Sequence, residues 1–260
     1  MPAVSFTITT FIRQYLMTST FHSMKSADAI SFLRAMVDGA VQPAHGPEET
    51  PPLITLSRDY GGGGEKIADH LARALGVAVY DREILDAVSS NAGVDKYLLA
   101  QLDDKVGDLR DEWVLSLLTG QNLLADNYRR HLINVVLAIS RHGGIIVGRG
   151  AHIILAQRRA FRLRIVGSVE RCAVRLAAEG KIDIAEARRQ IEYTNHQRSQ
   201  FVWDHFRQRL NDPAAFDLIL NTDRLEAPEQ AAAWIAAALP HYGWRPGDGA
   251  AVTPSPPAGG

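Results

Sequence analysis

The chain has 260 residues, 22% charged and 46% apolar, with a formal net charge of −1. That length suits one α/β domain with extensions, or two small ones, and is enough to bury a sizeable core. The near-neutral charge gives no global basic field for nucleic acid or an anionic membrane, no run reaches the ~18 apolar residues of a membrane span, and the one cysteine, Cys172, excludes an intrachain disulfide.

Residues 1–52 read as an N-terminal extension, partly disordered, with one short helix. The first 27 residues are rich in Ser, Thr and Phe and poor in acids, as transit peptides are, but Arg13 and Lys25 are too few basic residues for that role. Patterning begins only after Met24, which makes Met24 an alternative start. The stretch ADAISFLRAMVDGAV (27–41) puts Ile30, Leu33, Met36 and Val37 on one helical face. QPAHGPEETPP then breaks regular structure with its prolines and glycine. The compact domain is expected over 53–242, and the low-complexity tail at 243–260 is expected to be disordered.

Within the domain, five short apolar runs read as strands: LITLS (53–57), VAVY (77–80), IIVG (145–148), RLRIVG (162–167) and FDLILN (216–221). Helical patterns separate them, which argues for a mostly parallel sheet covered on both faces. Residues 83–142 carry only helical patterns, among them DEWVLSLL and NYRRHLINVVLAISRH, with Gly143 and Gly144 as the stop. After the fourth strand, Gly180 ends one helix and Asp183 with Glu186 forms a capping box for the next. Arg188 and Arg189 read as a solvated surface with glutamate partners, and Phe201, Trp203 and Phe206 as helix packing. Cys172 reads as a small helix residue and suits a reducing, cytoplasmic setting.

The stretch SRDYGGGGEK (57–66) joins the first strand to a helix. Four glycines in a row carry a large entropic cost and make sense where backbone must approach a ligand closely. At a helix N-terminus, open N–H groups and the helix dipole favour an anion, and phosphate is the natural occupant. A ligand-free turn needs only one or two glycines. The pattern departs from G-x-x-x-x-G-K-[ST].

These residues carry a resemblance. ITLSRDYGGGGEKIADHLARALGVAVYDREIL closely resembles the opening of the cytidylate kinase-like proteins, a branch of the nucleoside monophosphate kinases. IIVGRGAHIIL (145–155), RIVGSVERCAVRL (164–176) and FDLILNTDRLEAPEQAAAWI (216–235) resemble later motifs of that family in the same order, so that the similarity spans about 53–238. It implies an α/β fold, the P-loop kinase three-layer sandwich. Its five-stranded parallel sheet would have the order 2-3-1-4-5, with a helical monophosphate-binding insertion (83–142) and an arginine-rich helical lid (168–210).

The resemblance also implies roles. Ser57, Gly61, Gly62, Gly63 and Gly64 would bind nucleotide phosphates. Gly64 falls where ordinary cytidylate kinases carry the phosphate-binding lysine, and Lys66 where they carry the metal-binding hydroxyl. Arg58 and Lys66 would restore positive charge, with Arg171 and Arg175 as catalytic lid arginines. Asp81, Arg82, Arg149 and Arg198 would hold the acceptor, with Asp81 near a Mg²⁺ ion. Gly150 stands where the family has an aspartate, and Asn195 where it has another. The expected reaction is phosphoryl transfer from ATP, with Mg²⁺, to a nucleoside monophosphate, a pyrimidine such as CMP first. The alternatives are a nucleotide-binding regulatory module of weak activity and a kinase for another small substrate. Small-molecule nucleotides are the expected partners, with neither nucleic acid nor membrane among them.

Overall fold

The protein is described from a computed structural model. The structure describes residues 52–82, 85–86 and 123–244. The helix expected at 27–41, the patterned stretch DEWVLSLL and the tail beyond Trp244 lie outside these residues.

The elements run in the order β1 (Leu53–Arg58), α1 (Gly64–Leu75), β2 (Val79–Tyr80), α2 (Leu123–Ser140), β3 (Gly144–Val147), α3 (Ala151–Ile154), β4 (Phe161–Val166), α4 (Val169–Gly180), α5 (Ile184–Phe206), β5 (Leu218–Asn221) and α6 (Pro228–Ala238). The strands pair in parallel in one sheet of order β2-β3-β1-β4-β5. This is the order the resemblance implies. β1 lies at the centre, with Leu56 opposite Val147 on one side and Leu163 on the other. The residues that leave the carboxyl ends of β1 and β3 therefore emerge side by side, at the point where an open parallel sheet takes its ligands.

Alternation along the strands divides the core. Ile54, Leu56, Ile145, Val147, Leu163 and Ile165 face α1 and α6, where Ile67, Leu71, Ala231 and Ile235 are buried against them. On the other sheet face, Leu53, Tyr80 and Ile146 pack with α2, α3 and the end of α5. Each fully buried Leu or Ile side chain contributes about 1.5–3 kcal/mol.

β5 is shorter than the apolar run FDLILN, and Asp217, just before it, is held to Arg162 of β4. Its carboxylate accepts from the Arg162 backbone N–H (2.8 Å) and from both arms of the Arg162 guanidinium (2.7 and 3.0 Å). Burial works against this carboxylate, but the Arg162 contacts prevail and hold its pKa below the ordinary value.

Helices α4 and α5 both start at side-chain caps, and the α5 cap is the one the sequence predicts. Ser168 caps α4 by accepting the Arg171 N–H, and Asp183 caps α5 by accepting the Glu186 N–H at 2.7 Å. The Glu186 carboxylate turns to Arg189 (2.7 Å) and Gln190 (3.0 Å), its neighbours one turn on, rather than back toward the cap.

Candidate active site

The loop between β1 and α1 is fastened from behind. The Gly61 carbonyl accepts from Arg175 Nε at 2.9 Å, and the Gly62 carbonyl from Thr222 Oγ1 at 3.0 Å. Arg175 spends its other two nitrogens on the Thr222 carbonyl (2.9 Å) and hydroxyl (3.1 Å). The Asp59 carboxylate accepts from buried Arg164 at 2.6 Å and from the Gly167 N–H at 3.3 Å, and Asn195 Oδ1 accepts the Tyr60 N–H at 2.8 Å.

The Gly62 N–H is engaged by the Asp59 carbonyl at 3.1 Å and the Glu65 N–H by its own carboxylate, while the helix dipole at the start of α1 still favours an anion. The N-cap, Gly63, provides no side-chain cap. Gly61 has φ +75°, and a Cβ there would lie 2.9 Å from the Cys172 carbonyl, so α4 packs against bare backbone. Cys172 is buried under the loop, and burial pushes its thiol pKa up.

Beside the loop lies a cleft of about 510 Å³, bounded by the ends of β1 and β3 and by one side of α5. Arg58, Arg82, Arg149 and Arg198 all line it, with Phe201, Asp204 and His205. Four guanidinium groups around one cleft make a site for phosphate or carboxylate, which their forked donors match.

Each arginine is positioned. Arg58 donates from Nε to Glu65 at 2.9 Å, and Arg198 donates to the Arg58 carbonyl at 2.9 Å while its guanidinium rests over the Tyr60 ring. Burial, then the nearby Arg58, push the Arg198 pKa down to about 10, which leaves it charged at neutral pH. Arg149 is bonded to Asp86 and lies 4.4 Å from the centre of the Phe201 ring. Asp86 also accepts from Tyr128 at 2.6 Å and lies 3.5 Å from Arg82, one helical turn away. The buried Nε of Arg149 has no hydrogen-bond partner among the described residues.

Two further groups shape the cleft floor. Gly150 has φ +71°, and a Cβ there would sit 2.3 Å from the Phe206 ring. An aspartate therefore does not fit at this position while Phe206 packs as it does. Ser57 lies 3.3 Å from Nδ1 of His152, whose ring is buried and stacked on Phe216 at 4.7 Å. Burial, then Arg164 and Arg162, lower the His152 pKa to about 3, so the ring is neutral and sealed. It cannot act as a general base.

Of the residues the sequence singles out, Ser57, Arg58, Arg82, Arg149 and Arg198 meet at the cleft, with Gly61–Gly64 at its edge. The others sit elsewhere. Lys66 is exposed and paired with Glu179 at 2.5 Å. Arg171 is exposed on the first turn of α4, and Arg175 is fixed behind the loop. Asp81 ends the β2 segment, with its carbonyl accepting the Leu85 N–H at the helix start. Phe206 is core packing, as expected, but Trp203 is exposed and Phe201 faces the cleft.

The sequence reading passes over Glu65, Asp86, Tyr128 and Thr222. Asp86 had a signal, its spacing of four from Arg82; Thr222 stood inside the stretch FDLILNTDRLEAPEQAAAWI without a role.

The donor set fits nucleotide phosphates, since the loop offers amides and no Cβ. For Mg²⁺, no group of three His, Cys, Asp or Glu side chains occurs among the described residues. Mg²⁺ at phosphate sites keeps several waters and uses one or two carboxylates, and the carboxylate that lines the cleft is Asp204, not Asp81.

The model of the cytidylate kinase-like family matches residues 53–224. The chain belongs to this family. Its matched region contains every cleft arginine and the whole glycine loop. Among solved structures, the chain is similar to an uncharacterized protein from Eubacterium ventriosum, with 17% identity, TM-score 0.59, and coverage of 74% of this chain and 99% of that one. A shikimate kinase from Bacteroides thetaiotaomicron aligns at 15% identity and TM-score 0.39, over 73% of this chain and 98% of that one. A search of curated proteins found no match. No helix among the described residues is long and apolar enough to cross a membrane.

Proposed function

We propose that this member of the cytidylate kinase-like family transfers the terminal phosphoryl group of ATP to a small phosphorylated acceptor, a pyrimidine nucleoside monophosphate such as CMP being the first to test. The observation that carries this reading is the joining of an amide cradle to a cleft with four arginines. The loop amides hold the donor phosphates. Arg149 and Arg82 hold the acceptor phosphate. Arg58 and Arg198 stand between the two and neutralise charge on the transferring group.

An acceptor phosphate oxygen attacks the terminal phosphorus, the bond to the bridging oxygen breaks, and ADP leaves. Mg²⁺ would supply further charge neutralisation when bound, with Asp81 the carboxylate that the resemblance assigns to it. Positioning and electrostatics carry the catalysis, with no histidine base. Gly150 leaves no carboxylate to read the base at that point, so Asp204 and its hydrogen-bonded neighbour Gln200 are the groups for the base edge.

A coupled assay with Mg²⁺ and ATP across CMP, dCMP, UMP, AMP and GMP tests the proposal. Absence of turnover with all five, in folded protein, rejects a nucleoside monophosphate kinase. A second reading is a module that binds nucleotide without efficient transfer. It is favoured by Lys66, which pairs with Glu179 outside the cleft and leaves the loop without a lysine. Calorimetric nucleotide binding without transfer selects it.

A further inference from the structure

The cleft repeats one device twice. In each, two arginines clasp one carboxylate: Arg58 and Arg198 with Glu65, Arg82 and Arg149 with Asp86. The two carboxylates are held differently. Asp86 has a third donor, the Tyr128 hydroxyl at 2.6 Å, which ties it to α2. Glu65 has no such tie to another element: besides the two arginines, its carboxylate accepts from its own backbone N–H. It projects from the first turn of α1, lies 2.9 Å from Arg58 and 3.7 Å from Arg198, and its side chain is 36% exposed, against 11% and 22% for the two arginines.

The arginines do not depend on Glu65 for their places. Arg198 is also held by the Arg58 carbonyl and the Tyr60 ring, and the Arg58 guanidinium lies against Gly148 at the end of β3. The least buried member of the trio is thus the anion. A carboxylate between two guanidinium forks at a helix start lies where a ligand's phosphoryl oxygens would bind.

We propose that Glu65 is a resident competitor, a carboxylate that occupies the phosphoryl position on Arg58 and Arg198 and is displaced by the ligand. It thereby sets a threshold that favours ligands with a multiply charged phosphate chain over singly charged anions. A carboxylate carries one negative charge, and a ligand must exceed what that charge gains from two arginines. Asp86, in contrast, is a positioning residue that ligand binding leaves in place. This inference rests on the phosphate reading of the cleft.

The test uses the full chain and inorganic pyrophosphate as the probe, with binding followed by calorimetry and thermal shift. Glu65→Ala and Glu65→Gln are expected to bind pyrophosphate about tenfold more tightly than the wild type, and Asp86→Asn more weakly. Inorganic phosphate is expected to bind Glu65→Ala measurably and the wild type hardly at all. If both Glu65 variants bind as the wild type does, or more weakly, Glu65 merely positions the arginines and the proposal falls, while the phosphate reading stands. If Asp86→Asn tightens binding as much as Glu65→Ala, the effect is a general field and displacement is refuted. If no protein binds pyrophosphate, the phosphate reading falls together with the proposal.

Discussion

His152 gives a prediction that can be worked through in numbers. Its ring is buried beneath the cleft, and its pKa is lowered from an ordinary 6.5 to about 3. The unfolded chain therefore binds a proton below pH 6.5 that the folded protein refuses. The His152 contribution to stability is complete above about pH 7, falls as pH drops through 6.5, and levels off only near pH 3, where the folded protein takes up the proton. Between about pH 7 and pH 5 this single ring should account for a loss of about 2 kcal/mol, since each further unit below the unfolded pKa is worth about 1.4 kcal/mol. Urea unfolding at the two pH values, for wild type and His152→Asn, measures it. The variant is less stable at neutral pH, where it loses the ring's packing on Phe216, but its stability should change with pH by about 2 kcal/mol less. Equal pH dependence in the two proteins would mean that His152 titrates freely in the folded state. The claim that it is sealed, and unfit as a base, would then be refuted.

Arg149→Ala should weaken acceptor binding by about tenfold to a hundredfold, because a half-buried charged donor to phosphate is lost; calorimetry with CMP checks it. Thr222→Val removes the hydroxyl that holds the Gly62 carbonyl and receives Arg175, and should lower nucleotide affinity and cost about 1–3 kcal/mol of stability, read by ligand titration and urea melts. Gly150→Ala should destabilise the fold by about 3 kcal/mol through its contact with Phe206 and its positive φ, and Phe206→Leu in the same chain should recover part of that loss. The Asp217 carboxylate has a lowered pKa, so the stability it gives is present above its ordinary pKa of 3.8 and lost as pH falls below that through the folded value. Asp217→Asn should flatten the acid limb of the unfolding curve and lower stability at neutral pH.

The sequence by itself determined the sheet and the loop. Five β-branched runs separated by helical patterns are local signals, since strand and helix periods are written in consecutive residues. Four glycines between β1 and α1 likewise announce a backbone that must meet something closely. Asp183 marks a helix start for the same local reason. Which arginine does what is not local. Arg175 and Arg198 both sit on the helices that follow β4 and look alike in the chain, yet one is locked behind the loop by Thr222 and the other reaches the cleft. That choice depends on how α4 packs beneath Gly61 and how α5 passes over β1. Glu65 makes the same point. In the sequence it is only an acid beside Lys66. Successive residues on a helix point about 100° apart, so Lys66 turns outward to Glu179 while Glu65 turns inward to Arg58 and Arg198. Charge at the cleft thus depends on tertiary packing, because Arg149 and Arg198 take their places from partners 63 and 140 positions away in the chain.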